Sequence, residues 1–235
     1  MIIGPDCTCL GREEKAGDCS ARKADLLILS ASGPGEIARY SPYCRYTQAI
    51  LGPKRERYAD IEATRVMIWG GFPREMAKGA RLSDLPPELL KWDHPKILFL
   101  TGRPGVGKTW AAAALIRREL GEAILKGPLC SYPTAFVYAP DVPPFSRVYD
   151  LPWIGADLLL IDDLPLYDAH RAPLWQSICD FRYRNGLGML ITANTEAIAL
   201  SSIAPSWRPV LSRLFDGERS LAIELSGADR RLRTS

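Results

Sequence analysis

The sequence predicts an α/β domain in which a parallel five-stranded sheet lies between helices. Three observations predict it. Apolar runs of strand length alternate with helical stretches from Ile97 onward, the pattern of parallel sheets covered on both faces. The first run, Ile97–Thr101, leads into Gly102-Arg103-Pro104-Gly105-Val106-Gly107-Lys108-Thr109, which fits G-x-x-x-x-G-K-[ST] at every fixed position. A later run, Ala156 to Ile161, ends abruptly in Asp162 and Asp163, two carboxylates at the strand end where open α/β sheets bind ligands.

The elements follow in order. Residues 1–50 form a small N-terminal unit with an apolar run at Leu26–Leu29 and a Ser-Gly-Pro-Gly turn at Ser32–Gly35. So short a unit buries little surface alone and needs a metal, a partner or the main body. Residues 51–95 are a connector, helical around Tyr58 to Ile68, then passing through Gly70-Gly71-Phe72-Pro73 to Pro86-Pro87. From residue 96 to 235 the strand–helix alternation runs to the end. After the glycine loop, Trp110 to Leu120 has helical composition, and Ala135–Tyr138 is the second strand. Pro140 to Pro152 is too proline-rich for a long helix. The strand Asp157–Asp163, a helix near Arg171–Tyr183, the strand Gly188–Thr192, short helical pieces to Phe215 and a last strand at Leu221–Leu225 complete the pattern.

Composition bounds the chain without naming its task. Hydrophobic residues make up 47% and charged residues 24% of 235 positions, enough for an ordinary core. The net charge of +3 is compatible with a nucleic-acid partner and does not require one. There is no apolar run of about 18 residues, and the start lacks the basic and apolar regions of a signal peptide, so a soluble cytoplasmic protein without membrane contact is expected. Among the six cysteines, Cys7, Cys9, Cys19 and Cys44 crowd the first 44 residues. Inside the cell they are no disulfide framework, and their spacing departs from paired C-x₂₋₄-C zinc ligands. They are a zinc site or free thiols. His94 and His170 have no partner at metal-ligand spacing and receive no role.

The chemistry lies in the glycine loop and the carboxylates. Glycines let successive N–H groups converge on phosphate oxygens, and the helix start adds its dipole. Lys108 is placed to reach β- and γ-phosphates, with the Thr109 hydroxyl on Mg²⁺. Gly102 through Trp110 are therefore expected to hold a nucleotide. Asp162 is the second Mg²⁺-side residue, and Asp163 polarises the attacking water. Asn194, in Thr192-Ala193-Asn194-Thr195 after the fourth strand, either donates to phosphate or water or caps a helix. Arg213 in Ser212-Arg213-Leu214 is either a surface salt-bridging residue or, facing outward, a residue that completes a neighbour's site. Phe181-Arg182-Tyr183-Arg184 mixes rings with guanidiniums, a combination that single-strand binders use but that a helix packed on a sheet half buries. Arg230-Arg231-Leu232-Arg233 is a basic tail or a phosphate contact.

On these residues, the stretch from about Phe72 to Arg233 resembles the AAA+ ATPases of the bacterial and phage helicase-loader group, DnaC- and DnaI-like, with the IstB transposition helpers as close relatives. The resemblance rests on Gly71-Phe-Pro-Arg-Glu75 and Ala80-Arg-Leu-Ser-Asp-Leu85 ahead of the core, Gly102–Thr109 as Walker A and Leu158–Asp163 as Walker B. Thr192–Thr195 matches sensor 1, Ser212–Leu214 the arginine-finger box, and Gly227–Arg231 the basic ending. It implies ATP and Mg²⁺ as ligands, Asn194 as a sensor and Arg213 as a finger acting in trans. It also implies a replicative DNA helicase and single-stranded DNA as partners, a homo-oligomer or a helicase-templated assembly, and an N-terminal unit that contacts the helicase. Asp163 stands where the family more often has glutamate, and Ala139–Ile154 is shorter and richer in proline than a DNA-contacting insertion. A transposition helper, an ATP-gated adaptor and a small-molecule P-loop kinase are the rival readings. The kinase is disfavoured because Arg147 is the single arginine between Tyr132 and Leu166, too few for a phosphate-gripping lid.

Overall fold

The computed structural model describes residues 55–93, 96–126, 134–194, 203 and 205–227. The expectations for residues 1–50 with Cys7, Cys9, Cys19 and Cys44, for His94, for Thr195 and for Arg230–Arg233 fall outside the described residues. Two compact units are present, and the larger one, Arg65–Glu119 with Tyr132–Ser235, carries the sheet. The described parts of the other unit are residues 55–64 and 120–126.

Five parallel strands, β1 (Ile97–Thr101), β2 (Thr134–Tyr138), β3 (Leu158–Asp162), β4 (Gly188–Thr192) and β5 (Ser220–Glu224), lie in the order β2-β3-β4-β1-β5. Every side chain of β1 and β4 is buried, which is what strands covered on both faces require and why they read as unbroken apolar runs. The register stacks Val137, Ile161, Ile191 and Phe99 in one row across four strands. That row is the floor of a core closed by Trp175, Ile178 and Cys179 of one helix and Val210 and Leu214 of another. The alternate row, Leu98, Leu160 and Leu190, is fully buried too.

The described helices are α1 (Arg55–Trp69), α2 (Arg74–Gly79), α3 (Lys108–Lys126), α4 (Ala172–Arg184) and α5 (Arg208–Leu214). Helix α3 begins inside the glycine motif, where the Ala111 N–H reaches the Gly107 carbonyl at 2.9 Å and four successive alanines sustain the helix. The chain after α1 seals the free edge of β2: the Phe136 N–H donates to the Gly70 carbonyl at 2.8 Å. Only glycine fits at position 70, since a Cβ there would lie 2.3 Å from the Thr134 carbonyl oxygen.

Within the sheet-bearing unit, two neighbouring arginines of α3 tie residues 77–92 to that helix. Arg117 donates to the carbonyls of Ala77 and Lys78 at 2.9 and 2.8 Å, satisfying the end of α2. Arg118 donates to the carbonyls of Leu90 and Trp92 and lies 5.9 Å from the centre of the Trp92 indole. The proline-rich stretch between β2 and β3 contains short 3₁₀ turns, Ala139–Asp141 and Val148–Asp150, and no α-helix, as its prolines require.

Candidate functional site: the carboxyl edge of the sheet

The functional side chains gather where four adjacent strands end. Tyr138, Asp162, Thr192 and Leu100 occupy one register row, and the chain just beyond that row supplies Asp163, Asn194 and the glycine loop. A cavity of about 550 Å³ opens there, within the range of ligand pockets. Lys108, Thr109, Asp162, Asp163, Thr192 and Asn194 line its polar side, while Met76, Trp110 and Tyr138 bring larger apolar surfaces.

Glycine is required where the loop turns. Gly102, Gly105 and Gly107 have φ of 131°, 82° and 97°, and a Cβ on Gly102 would lie 2.2 Å from the Leu225 carbonyl oxygen. The loop thereby holds Lys108 against its own backbone: Nζ donates to the Gly102 and Arg103 carbonyls at 2.9 and 2.8 Å and to Asn194 Oδ1 at 2.8 Å. The Thr109 hydroxyl donates to Asp162 Oδ1 at 2.6 Å, and the Thr192 hydroxyl to the same oxygen at 2.7 Å.

Asp163 is the one non-glycine among the described residues with positive φ, at 58°. Such backbone costs a bulky residue about 1 kcal/mol or more and is tolerated where surrounding bonds hold it. Here its N–H donates to Thr192 Oγ1 at 2.9 Å, and its Oδ1 accepts from Asn194 Nδ2 at 2.6 Å. The turn lifts the carboxylate off the strand into the cavity, while Asp162 keeps the strand position. Lys108, Asn194 and Asp163 thus form one hydrogen-bonded line across the edge. Tyr138 extends it, its hydroxyl 3.4 Å from Asp163 Oδ2. Partial burial, and then the Asp163 charge, push the Tyr138 hydroxyl above its ordinary value.

Sequence reasoning named Lys108, Thr109, Asp162, Asp163, Asn194 and Trp110, and all six line the cavity. Gly105 and Gly107 do so as well, while Gly102, Arg103, Pro104 and Val106 build the loop from outside it. Tyr138 and Met76 were missed. The parallel register makes Tyr138 legible in retrospect, as the residue ending the strand beside Asp162; Met76 carries no comparable signal. Arg213 is elsewhere: at the end of α5 its Nε donates to Asp180 Oδ1 at 3.1 Å, half exposed and outside the cavity lining.

Within Phe181–Arg184, the half expected to pack inward includes Arg182, which is fully buried. Its guanidinium donates to the carbonyls of Ile154 at 2.8 Å, Gly188 at 2.5 Å and Asp157 at 3.4 Å. These carbonyls gather at the amino ends of β3 and β4, where an interior cation supplies donors to buried backbone groups.

The donor set fits Mg²⁺-ATP. A hydroxyl and one carboxylate sharing a 2.6 Å contact are hard oxygen donors, and Mg²⁺ characteristically takes one or two carboxylates and fills the rest of its shell with phosphate and water. Among the described residues no cluster of three histidine, cysteine or acidic side chains offers an all-protein metal cage, and none of the helices is long and apolar enough to cross a membrane.

No family model matches the chain, nor does any curated protein. Solved structures do. A crystal structure of DnaI is 22% identical, over 68% of this chain and 94% of that one, with a TM-score of 0.50. The DnaC helicase loader is 20% identical over 59% of this chain and 84% of its own, at 0.44. AMPPCP-bound DnaA from Aquifex aeolicus is 18% identical over 61% and 45%, at 0.42. The DnaI likeness is one of fold: an α/β domain whose five parallel strands carry the glycine loop at their carboxyl edge. The expected α/β class and parallel five-stranded sheet are therefore correct.

Proposed function

We propose that this chain binds Mg²⁺-ATP and hydrolyses it as a DNA-replication ATPase, loading or remodelling a replicative helicase on single-stranded DNA. The observation that carries the nucleotide part is the 2.6 Å contact between Thr109 and Asp162, set in one cavity with Lys108, Asn194 and Asp163. The replication part rests on the helicase-loader resemblance of the motifs, and the DnaI-like fold supports it.

Thr109 and Asp162 would hold Mg²⁺, which supplies charge neutralisation at the phosphates. Lys108 exchanges Asn194 for phosphate oxygens, keeping its two loop carbonyls as guides. Asn194, released by Lys108 at Oδ1, turns its Nδ2 from Asp163 toward the γ-phosphate or the attacking water. Asp163 orients that water for in-line attack. The work is positioning and electrostatics, with no covalent intermediate. Among the described residues Lys108 is the one basic side chain lining the cavity, and Arg213 of a neighbouring copy suits the role of a second cation because its planar fork binds phosphate oxygens. In this reading residues 1–50 contact the helicase, 51–95 connect, and 96–235 form the ATPase domain.

The test mixes the full chain with the replicative helicase of its own host or replicon and measures mass by size-exclusion chromatography with light scattering. A stoichiometric, nucleotide-dependent complex that needs residues 1–50 is the expected result. No complex, together with ATP-dependent filaments on duplex DNA, would make the chain a transposition helper.

A further inference from the structure

Arg213 does not stand alone on its surface. Its Nε–H is tied to Asp180 Oδ1 at 3.1 Å, and its guanidinium carbon lies 5.2 Å from the centre of the Tyr183 ring. Tyr183 is itself fixed, its hydroxyl donating to Asp216 Oδ2 at 2.6 Å, which raises the tyrosine and lowers the aspartate from their ordinary values. Asp216 is braced in turn by the Glu218 N–H on its other oxygen at 3.2 Å. Arg219 brings a second guanidinium to 4.8 Å from the same ring.

The consequence for Arg213 is geometric. One edge of its fork, Nε, is anchored to a carboxylate, and the guanidinium is held close to an aromatic ring. The two terminal nitrogens make no hydrogen bond to any of the described residues. A free arginine side chain loses roughly 2 kcal/mol of rotamer entropy when it is fixed. Here α4 (through Asp180 and Tyr183) and the turn before β5 (through Asp216) have already restricted it, leaving the terminal nitrogens to meet an incoming anion.

We propose that Asp180 and Tyr183 are positioning residues that hold Arg213 in the orientation in which it engages the γ-phosphate bound by a second copy of this chain. The inference rests on the reading of Arg213 as a residue acting in trans. The partner surface is therefore the nucleotide-bearing cavity edge of another copy, and Asp180 sets kcat without touching nucleotide.

Mixing experiments separate this from a structural role. ATP hydrolysis is measured for Arg213→Ala, Asp180→Ala and Tyr183→Ala alone and after mixing each with Lys108→Ala, which lacks a working cavity but keeps Arg213 and its supports. Binding of a fluorescent ATP analogue is followed in parallel. Asp180→Ala is expected to lower kcat at least about 10-fold with nucleotide affinity unchanged, and to regain activity when Lys108→Ala supplies intact neighbours. Tyr183→Ala should follow it, and Tyr183→Phe, which keeps the ring, should fall between it and wild type. Full activity of Asp180→Ala alone overturns the positioning role. Loss of activity that Lys108→Ala cannot restore, while it does restore Arg213→Ala, makes Asp180 structural and overturns it equally. If Arg213→Ala itself is not restored, the trans reading fails, and this inference with it.

Discussion

The two ends of the sheet each hold a buried cation, and the two cations do opposite things. At the carboxyl edge Lys108 is 6% exposed, faces a cavity and bonds to two loop carbonyls and an amide side chain. At the amino edge Arg182 is 0% exposed and bonds to three backbone carbonyls. Burial pulls the Arg182 guanidinium down to about 10, against the Cys179 and Asp157 charges that hold it up. Its Nε, moreover, has no partner among the described residues. The difference lies in what a ligand can replace. Asn194 can turn away from Lys108, so the cation at that edge is available for phosphate, whereas the strand-end carbonyls around Arg182 have nowhere else to go.

The largest expected effect is at the structural end. Arg182→Ala leaves strand-end carbonyls buried without donors and should cost at least about 3 kcal/mol in urea denaturation, with ATP affinity of the folded protein unchanged. A loss under about 1 kcal/mol would erase the contrast. At the other end Asn194→Ala should reduce kcat about 100-fold, the scale for removing one preorganised donor, and leave the denaturation midpoint nearly unmoved. Gly102→Ala tests the loop between these extremes: a Cβ 2.2 Å from the Leu225 carbonyl oxygen at a φ of 131° should cost about 2 kcal/mol and weaken ATP binding together.

The smallest effect sharpens the amino-edge side through pH. Cys179, one helical turn before Arg182, has its thiol pushed from 9.0 up to about 12, chiefly by burial and then by the Asp180 charge. The folded chain holds that proton after the unfolded chain has released it. The contribution is therefore whole below pH 9 and is lost as pH rises from 9 toward 12. Denaturation at about pH 8 and about pH 10 should show wild type losing about 1 kcal/mol more than Cys179→Ala. Equal losses would mean that the thiol is not held protonated.

These two ends were unequally legible in the sequence. The carboxyl edge was readable because phosphate chemistry demands fixed residues at fixed spacing, so Gly102–Thr109 and Asp162-Asp163 announce themselves, and the parallel sheet brings their ends together. Tyr138 was not, since its role comes from register rather than spacing. The amino edge was legible only in part: a helix packed on the sheet was expected to bury half of Phe181–Arg184, but composition does not say that Arg182 is the residue turned inward or that backbone carbonyls receive it. Asp180 and Tyr183 were silent for a related reason, because their meaning depends on where α5 and the turn before β5 deliver Arg213 and Asp216.

The most direct test is calorimetric titration of ATP into the full chain, with Mg²⁺ and with the metal chelated. The cavity at the carboxyl edge predicts one ATP per chain, tighter with Mg²⁺, and no measurable binding to Lys108→Ala. Absence of binding to the wild-type chain, or binding that survives unchanged in Lys108→Ala, would contradict the account.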